Sequence, residues 1–193
     1  MSWKKNFEVE TVIENAMDVF WERGFESTTI TDITEATGVQ RQSLYNAVGD
    51  KRKLFILSLL KYETERRQST LASLEALGTP LASIQAFFAK AVEQCAEGAD
   101  KRGCFLVNTA LGMPSEDEEV HQLVSAALES TRAFFKRLIE HGKILGEIPQ
   151  TVDAVATASG LLAALIGIRV LSRGAGDQAV IRQAADQALR LLT

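Results

Sequence analysis

Apolar residues recur three and four apart along most of the chain, and the phase of that recurrence resets at glycines and prolines. Val9, Val12, Ile13, Ala16, Met17, Val19 and Phe20 make the first stripe. It is one core-facing side of a helix over about residues 7–23. Gly24 ends that helix, where a left-handed cap costs little. A short helix follows over about 31–37, with Ile33 and Ala36 turned inward and Thr29 or Thr31 able to cap it. Asp32 lies in its first turn, favourable against the helix dipole. Gly38 makes a turn and Val39 plugs it. A second short helix, about 41–48, holds Leu44 and Val48 at i and i+4, and Gly49-Asp50 break it. A long helix then runs from Asp50 or Lys51 to about Leu74. Gly78-Thr79-Pro80 punctuates the chain. Helices are expected over about 81–96, 104–111, 115–141, 152–171 and 178–192, with a polar loop at 98–102. Ser115 stands three residues before Glu118, the spacing of a capping box. Alternating β-branched runs are nearly absent. The pattern predicts an all-α chain of about nine helices.

Composition narrows this picture. The chain has 193 residues, 46% of them hydrophobic. That is enough for a substantial core without disulfides or metals. Two cysteines, Cys95 and Cys104, make no disulfide framework and suit a reducing compartment. The N-terminus carries no signal-peptide pattern, so a cytoplasmic protein is expected. The most apolar stretch, 154–170, is short for a membrane span and runs into Arg169 and Arg173. A buried or interface helix is the expectation, with no membrane partner. The net charge of -4 excludes a chain that coats nucleic acid over its whole surface. It leaves room for a local basic face. Within residues 1–70, acid concentrates in the first helix and base at 41–67.

The segment 28–54 carries the chemistry. Two short helices around a glycine turn, a polar stretch ending in Tyr45 and Asn46, and the cluster Lys51, Arg52 and Lys53 have the layout of a helix-turn-helix. Gln40, Arg41, Ser43, Tyr45, Asn46 and Ala47 alternate with Leu44 and Val48, so one face is polar and the other apolar. Gln and Asn can bond adenine N6/N7, and Arg can bond guanine O6/N7. Thr29, Tyr45 and Lys51 are candidates for phosphate contacts, which set position and not sequence, and Thr28 is counted with them in the DNA-binding set. Lys51, in the first turn of the fourth helix, could clamp a phosphate with side chain and backbone together.

Residues 10–55 resemble the N-terminal domain of TetR-type (TetR/AcrR) bacterial transcriptional regulators. The resemblance is carried by Ala16, Phe20, Gly24-Phe25, Thr28-Thr29, Ile33, Ala36, Gly38-Val39, Ser43-Leu44-Tyr45, Val48, Lys51 and Leu54. It implies a homeodomain-like, three-helix DNA-binding unit at 1–50 and a helical ligand-binding and dimerisation domain at 51–193. It further implies a homodimeric repressor on a palindromic double-stranded DNA operator, released by a small-molecule inducer. The family usually has an aromatic residue at the Val48 position and often His at the Asn46 position. These departures bear on packing and operator preference. The run Arg102–Leu111 is similar to a motif in a subset of these regulators, some of which respond to small reactive or unsaturated compounds.

Outside that segment the sequence offers candidates in competition with plain core packing. Phe87, Phe88, Phe105, Phe134, Phe135 and Met113, with Cys104, Asn108 and Thr109 as polar handles, could line a cavity for a small, mostly apolar ligand. Cys104 begins a helix after two cations, a setting that can activate a thiol or merely bury a small residue. The helix at 152–171 is rich in small residues. Leu161, Ala164, Leu165 and Ile168, with Ile181, Ala185 and Leu189 of the last helix, are expected to form a two-fold dimer interface. His121 and His141 have no acid or thiol at metal-ligand spacing, so no metal and no cofactor are expected. No acid–base or nucleophile–base cluster points to an enzyme. The competing readings are a DNA-binding regulator without a ligand, a thiol sensor through Cys104, and a helical scaffold.

Overall fold

The computed structural model describes residues 2–95, 102–113, 117–174 and 177–193, with side chains from Val9 onward. The fold is all-α, an N-terminal helix-turn-helix unit followed by a helical C-terminal domain, and the described residues contain no strand. The helices are α1 (Ser2–Arg23), α2 (Ile30–Thr37), α3 (Arg41–Val48), α4 (Lys51–Lys61), α5 (Ser69–Glu75), α6 (Pro80–Glu93), α7 (Phe105–Gly112), α8 (Glu118–Ile144), α9 (Ala154–Arg173) and α10 (Gln178–Leu189). A 3-10 turn, Arg190–Leu192, closes the chain.

The long fourth helix expected from the sequence is one continuous path of three stretches. α4 passes into a π-helical segment, Tyr62–Gln68, and then into α5. Such wide turns occur mostly as brief interruptions, often at functional sites. This one is tied sideways to α8: Arg67 pairs with Glu63 and donates to Thr131 Oγ1 at 2.9 Å.

Caps set the short helices. Thr29 Oγ1 accepts from the Asp32 N–H at 3.1 Å, and the Thr29 N–H donates to Asp32 Oδ2 at 2.7 Å. This reciprocal box fixes the start of α2. Gly38, at φ 67°, ends it in the left-handed conformation that glycine adopts without steric cost. For α8 the cap is Asp117, whose carboxylate accepts from the Val120 N–H at 3.2 Å. Ser115, the expected cap, lies outside the described residues, as does most of the 98–102 loop.

Two apolar clusters organise the molecule. The N-terminal one joins Ala16, Met17 and Phe20 to Ile33, Leu44, Val48, Leu54 and Phe55. It continues past α2 and α3 into Phe105 and Leu106 of α7 and Val120 and Val124 of α8. The second cluster is built from α5, α6, α8, α9 and α10 around Phe88, Phe135, Ile139 and Leu161.

The expected dimer face has the wrong phase. Leu161, Leu165, Ile168, Ile181 and Ala185 are buried in the chain's own core, and Ala164 and Leu189 pack partly against it. They face α6 and α8, which the sequence pattern of α9 and α10 alone does not reveal. The sides left outward carry Val155, Ala163, Gly167 and Val170 on α9, and Val180, Gln183 and Gln187 on α10. α9 is long and apolar enough to cross a membrane, yet only 28% of its most apolar window is buried within the chain. Its remaining apolar surface lies on this outer side.

Candidate nucleic-acid interface and adjoining cavities

α3 is held to the core by Leu44 and Val48, so its other residues are turned out by helical geometry alone. Gln40, Arg41, Gln42, Ser43 and Asn46 are exposed, and Tyr45 is half-buried. Gln40 is the residue before the first turn, and its amide makes no capping bond. Arg41 lies along Tyr45, its guanidinium 5.6 Å from the ring centroid and Nη2 3.5 Å from the hydroxyl. Gln42 Nε2 donates to Asn46 Oδ1 at 3.2 Å. Gln42 was not among the expected reading residues, although its i, i+4 spacing to Asn46 puts the two amides together.

The residues expected to contact phosphate separate into accessible and buried ones. Thr29 is exposed at the start of α2. Its bonds to Asp32 and the adjacent Arg23 hold the Asp32 carboxyl below the ordinary carboxylate range. Lys51 Nζ rests 4.4 Å from the Phe25 ring centroid, a cation–π seat that orients the ammonium at the start of α4. Asp50 caps that helix by accepting from the Lys53 N–H at 2.7 Å. Thr28 is a correction: it is 1% exposed, and its hydroxyl donates to the Gly24 carbonyl at 2.6 Å. It closes the turn after α1 and offers nothing to a phosphate. Arg52 is also drawn away. Its Nε and Nη2 donate to Asp117 at 2.9 and 2.7 Å, and Glu119 stands 2.9 Å from Nη2. The middle of the basic cluster therefore fastens α4 to the start of α8.

The expected ligand residues divide among three places. Phe87 and Cys104 line a cavity of about 270 Å³ between α5, α6, α7, α8 and α9. Phe105, Asn108, Thr109 and Met113 line a second, about 210 Å³, against Phe25 and Arg173. Phe88, Phe134 and Phe135 line neither. They stack on one another and on Phe87 in closed core, with Phe88 and Phe135 ring centroids 6.0 Å apart. The larger cavity also takes walls from Trp21 of α1, Tyr62 of the π segment and Arg169 of α9, none of which the periodicity marked. Their signal was chemical: aromatic rings with a polar tip, and an arginine interrupting an apolar helix. The Tyr62 hydroxyl donates to Cys104 Sγ at 3.6 Å. Burial, then the neighbouring thiol, push that phenol well above its ordinary range. Both cysteines are free thiols.

Residues 12–56 match the family model for bacterial regulatory proteins of the tetR family. Residues 80–188 match the model for the tetracyclin repressor-like C-terminal domain. The chain belongs to the TetR family. Its relatives include the HTH-type transcriptional regulator YezE of Bacillus subtilis, 26% identical with both chains covered in full. The HTH-type transcriptional repressor ComR of Escherichia coli is 24% identical over 97% of this chain and 90% of its own. Among solved structures, a cysteine-substituted TetR family regulator, CifR, was determined on 26-bp double-strand operator DNA. It is 25% identical, with a TM-score of 0.84, covering 95% of this chain and 96% of that one. The protein is thus a TetR-family DNA-binding transcriptional regulator, and the exposed side of α3 is its candidate reading face.

Proposed function

We propose that this TetR-family regulator is a repressor that binds a palindromic operator as a homodimer and leaves it when a small molecule fills the larger cavity. The observation that carries the reading is the composition of the cavity wall. Trp21 comes from α1 of the DNA-reading unit, and Tyr62 from the π segment that continues α4. Anything that fills this space presses on both the reader and the helix that carries Lys51. A change in the tilt of α4 would then alter the distance between the two recognition helices of a dimer. Operator affinity would fall because both could no longer meet their half-sites. CifR, solved on operator DNA, and ComR, named as a repressor, support the same direction.

The dimer is assigned to the outward sides of α9 and α10. Ala163 and Gly167 permit close helix approach, and Val155, Val170 and Val180 supply apolar area that a lone chain leaves wet.

The test begins with duplexes selected by the full-length protein from a random library. Arg41→Ala, Tyr45→Ala and Lys51→Ala are each expected to weaken binding by about tenfold to a hundredfold, the scale of a lost base or phosphate contact. Unchanged affinity at low salt in all three would overturn the assignment of the face. Ala163→Glu, on an exposed position, is expected to yield folded monomers in sedimentation and to lose operator binding. An intact dimer would move the interface elsewhere.

A further inference from the structure

Building on the ligand-responsive reading above, we propose that the larger cavity takes a small amphipathic organic anion, an apolar body with one acceptor-only head group such as a carboxylate. Its walls carry donors and cations but no matching acid. Among the described residues, the one buried side-chain polar atom without a hydrogen-bond partner is Trp21 Nε1. Trp21 is 8% exposed and lines the cavity. Indole N–H is a donor only, so what it lacks is an acceptor. Arg66, Lys90 and Arg169 also line the space, and none has an ion-pair partner among the described residues. Arg67 lines it too, but Glu63 already answers that charge. No Asp or Glu is among the described lining residues.

Trp21, Tyr62 and Arg169 lie together. The Trp21 and Tyr62 rings are 4.9 Å apart, and Tyr62 meets Cys104. Arg169 acts electrostatically on Tyr62 and has its backbone against Gly103, next to Cys104. The raised phenol stays protonated and spends its proton on the thiol, so it does not oppose an incoming anion. The apolar lining includes Leu71, Leu74, Phe87 and Leu165, which belong to the second core cluster and not to the one that holds Trp21 and Tyr62. A carboxylate would pair with Arg169 beside the wall that holds Trp21 Nε1, the buried donor still lacking an acceptor, while its chain lay on the leucines and Phe87. An alcohol or amide would supply less charge and bring a donor against donors.

The experiment uses the full-length protein carrying Trp3→Phe, which leaves Trp21 as the only tryptophan. Octanoate and 4-phenylbutyrate are titrated against octan-1-ol and 4-phenylbutan-1-ol, by calorimetry and by Trp21 emission. Each acid is expected to bind at least tenfold tighter than its alcohol and to change the emission. Arg169→Gln should bring the acids down to the level of the alcohols, whose own affinity stays put. In the protein without the Trp3 change, Trp21→Phe should weaken the acids severalfold. Equal binding of acid and alcohol, a preference that survives Arg169→Gln, or no binding of any of the four at millimolar concentration would overturn the anion assignment. Acid-selective binding that leaves affinity for the selected duplex unchanged would uphold it and overturn the ligand-responsive reading instead.

Discussion

The candidate reading face and the larger cavity are specified at different ranges along the chain. The face comes from one continuous stretch, Thr29 to Lys53, whose caps, turns and buried residues all lie within a few positions of one another. The cavity draws on α1, the π segment, α5, α6, α7, α8 and α9, so its wall is set by how distant helices pack. A face of the first kind tolerates change elsewhere and yields to change within it. A cavity of the second kind responds to any helix that shifts. The two meet at Phe105. Its ring centroid lies 5.6 Å from Phe55 under the reader, and 6.3 and 5.8 Å from Trp21 and Tyr62 at the cavity.

The largest expected effect follows from that position. Phe105 is 1% exposed, and Phe105→Ala should cost about 3–5 kcal/mol, the usual range for deleting a buried aromatic ring. Urea denaturation gives the total, and hydrogen exchange gives the distribution. Protection should fall in α1 and α4 as well as in α7. If α1–α3 kept full protection while α7–α9 lost it, the reader would stand on a core of its own and the comparison would separate the two regions altogether.

The same contrast explains what could be read from the sequence. α1–α3 and the start of α4 were legible because Thr29, Asp32, Gly38 and Gly49 act on their immediate neighbours, and Leu44 and Val48 fix the phase of α3. Even there Thr28 misled, since a threonine next to a cap reads as exposed until its hydroxyl is seen on the Gly24 carbonyl. On α9 the stripe Leu161, Leu165 and Ile168 was found and its partner mistaken. Small residues on the other side make both faces of that helix apolar, and periodicity does not say which of two faces meets the same chain. The π segment left no mark because one residue more per turn does not change composition. Trp21 and Tyr62 stand 41 positions apart, and only packing brings them to one wall.

A smaller effect tests how local the reader is. Thr29→Ala removes the side-chain half of the box at the start of α2 and should cost about 1 kcal/mol, the typical worth of an N-cap. Thr29→Ser should restore it. Exchange should quicken in α2 and leave α8 and α9 untouched, and cavity binding should be unaltered. A change in cavity binding would show that the short helices are coupled to the regulatory helices more tightly than their sequence-local construction implies.

The smallest expected effect concerns the clamp between the two regions. Asp117 both caps α8 and receives Arg52 from α4, and these bonds, Arg52 first, hold its carboxyl below the ordinary value of 3.8. A carboxyl depressed in the folded state adds stability that is fully present above the unfolded value and lost as pH falls through the folded one. The link should therefore be constant from pH 7 to about 4.5 and weaken only below about pH 4, where a free aspartate titrates. The Arg52 side chain is 45% exposed, so solvent screens the pair and its contribution is small. Asp117→Asn separates the two roles, because an asparagine still caps a helix but carries no charge. Exchange of the first-turn amides of α8 should keep its wild-type rate at pH 7 in that variant, while the acid-dependent loosening between α4 and α8 is reduced, and it should disappear when Glu119→Gln also removes the other acid on Arg52. Acid loosening that persisted in the double variant would place the titrating link between α4 and α8 in a contact other than those of Arg52.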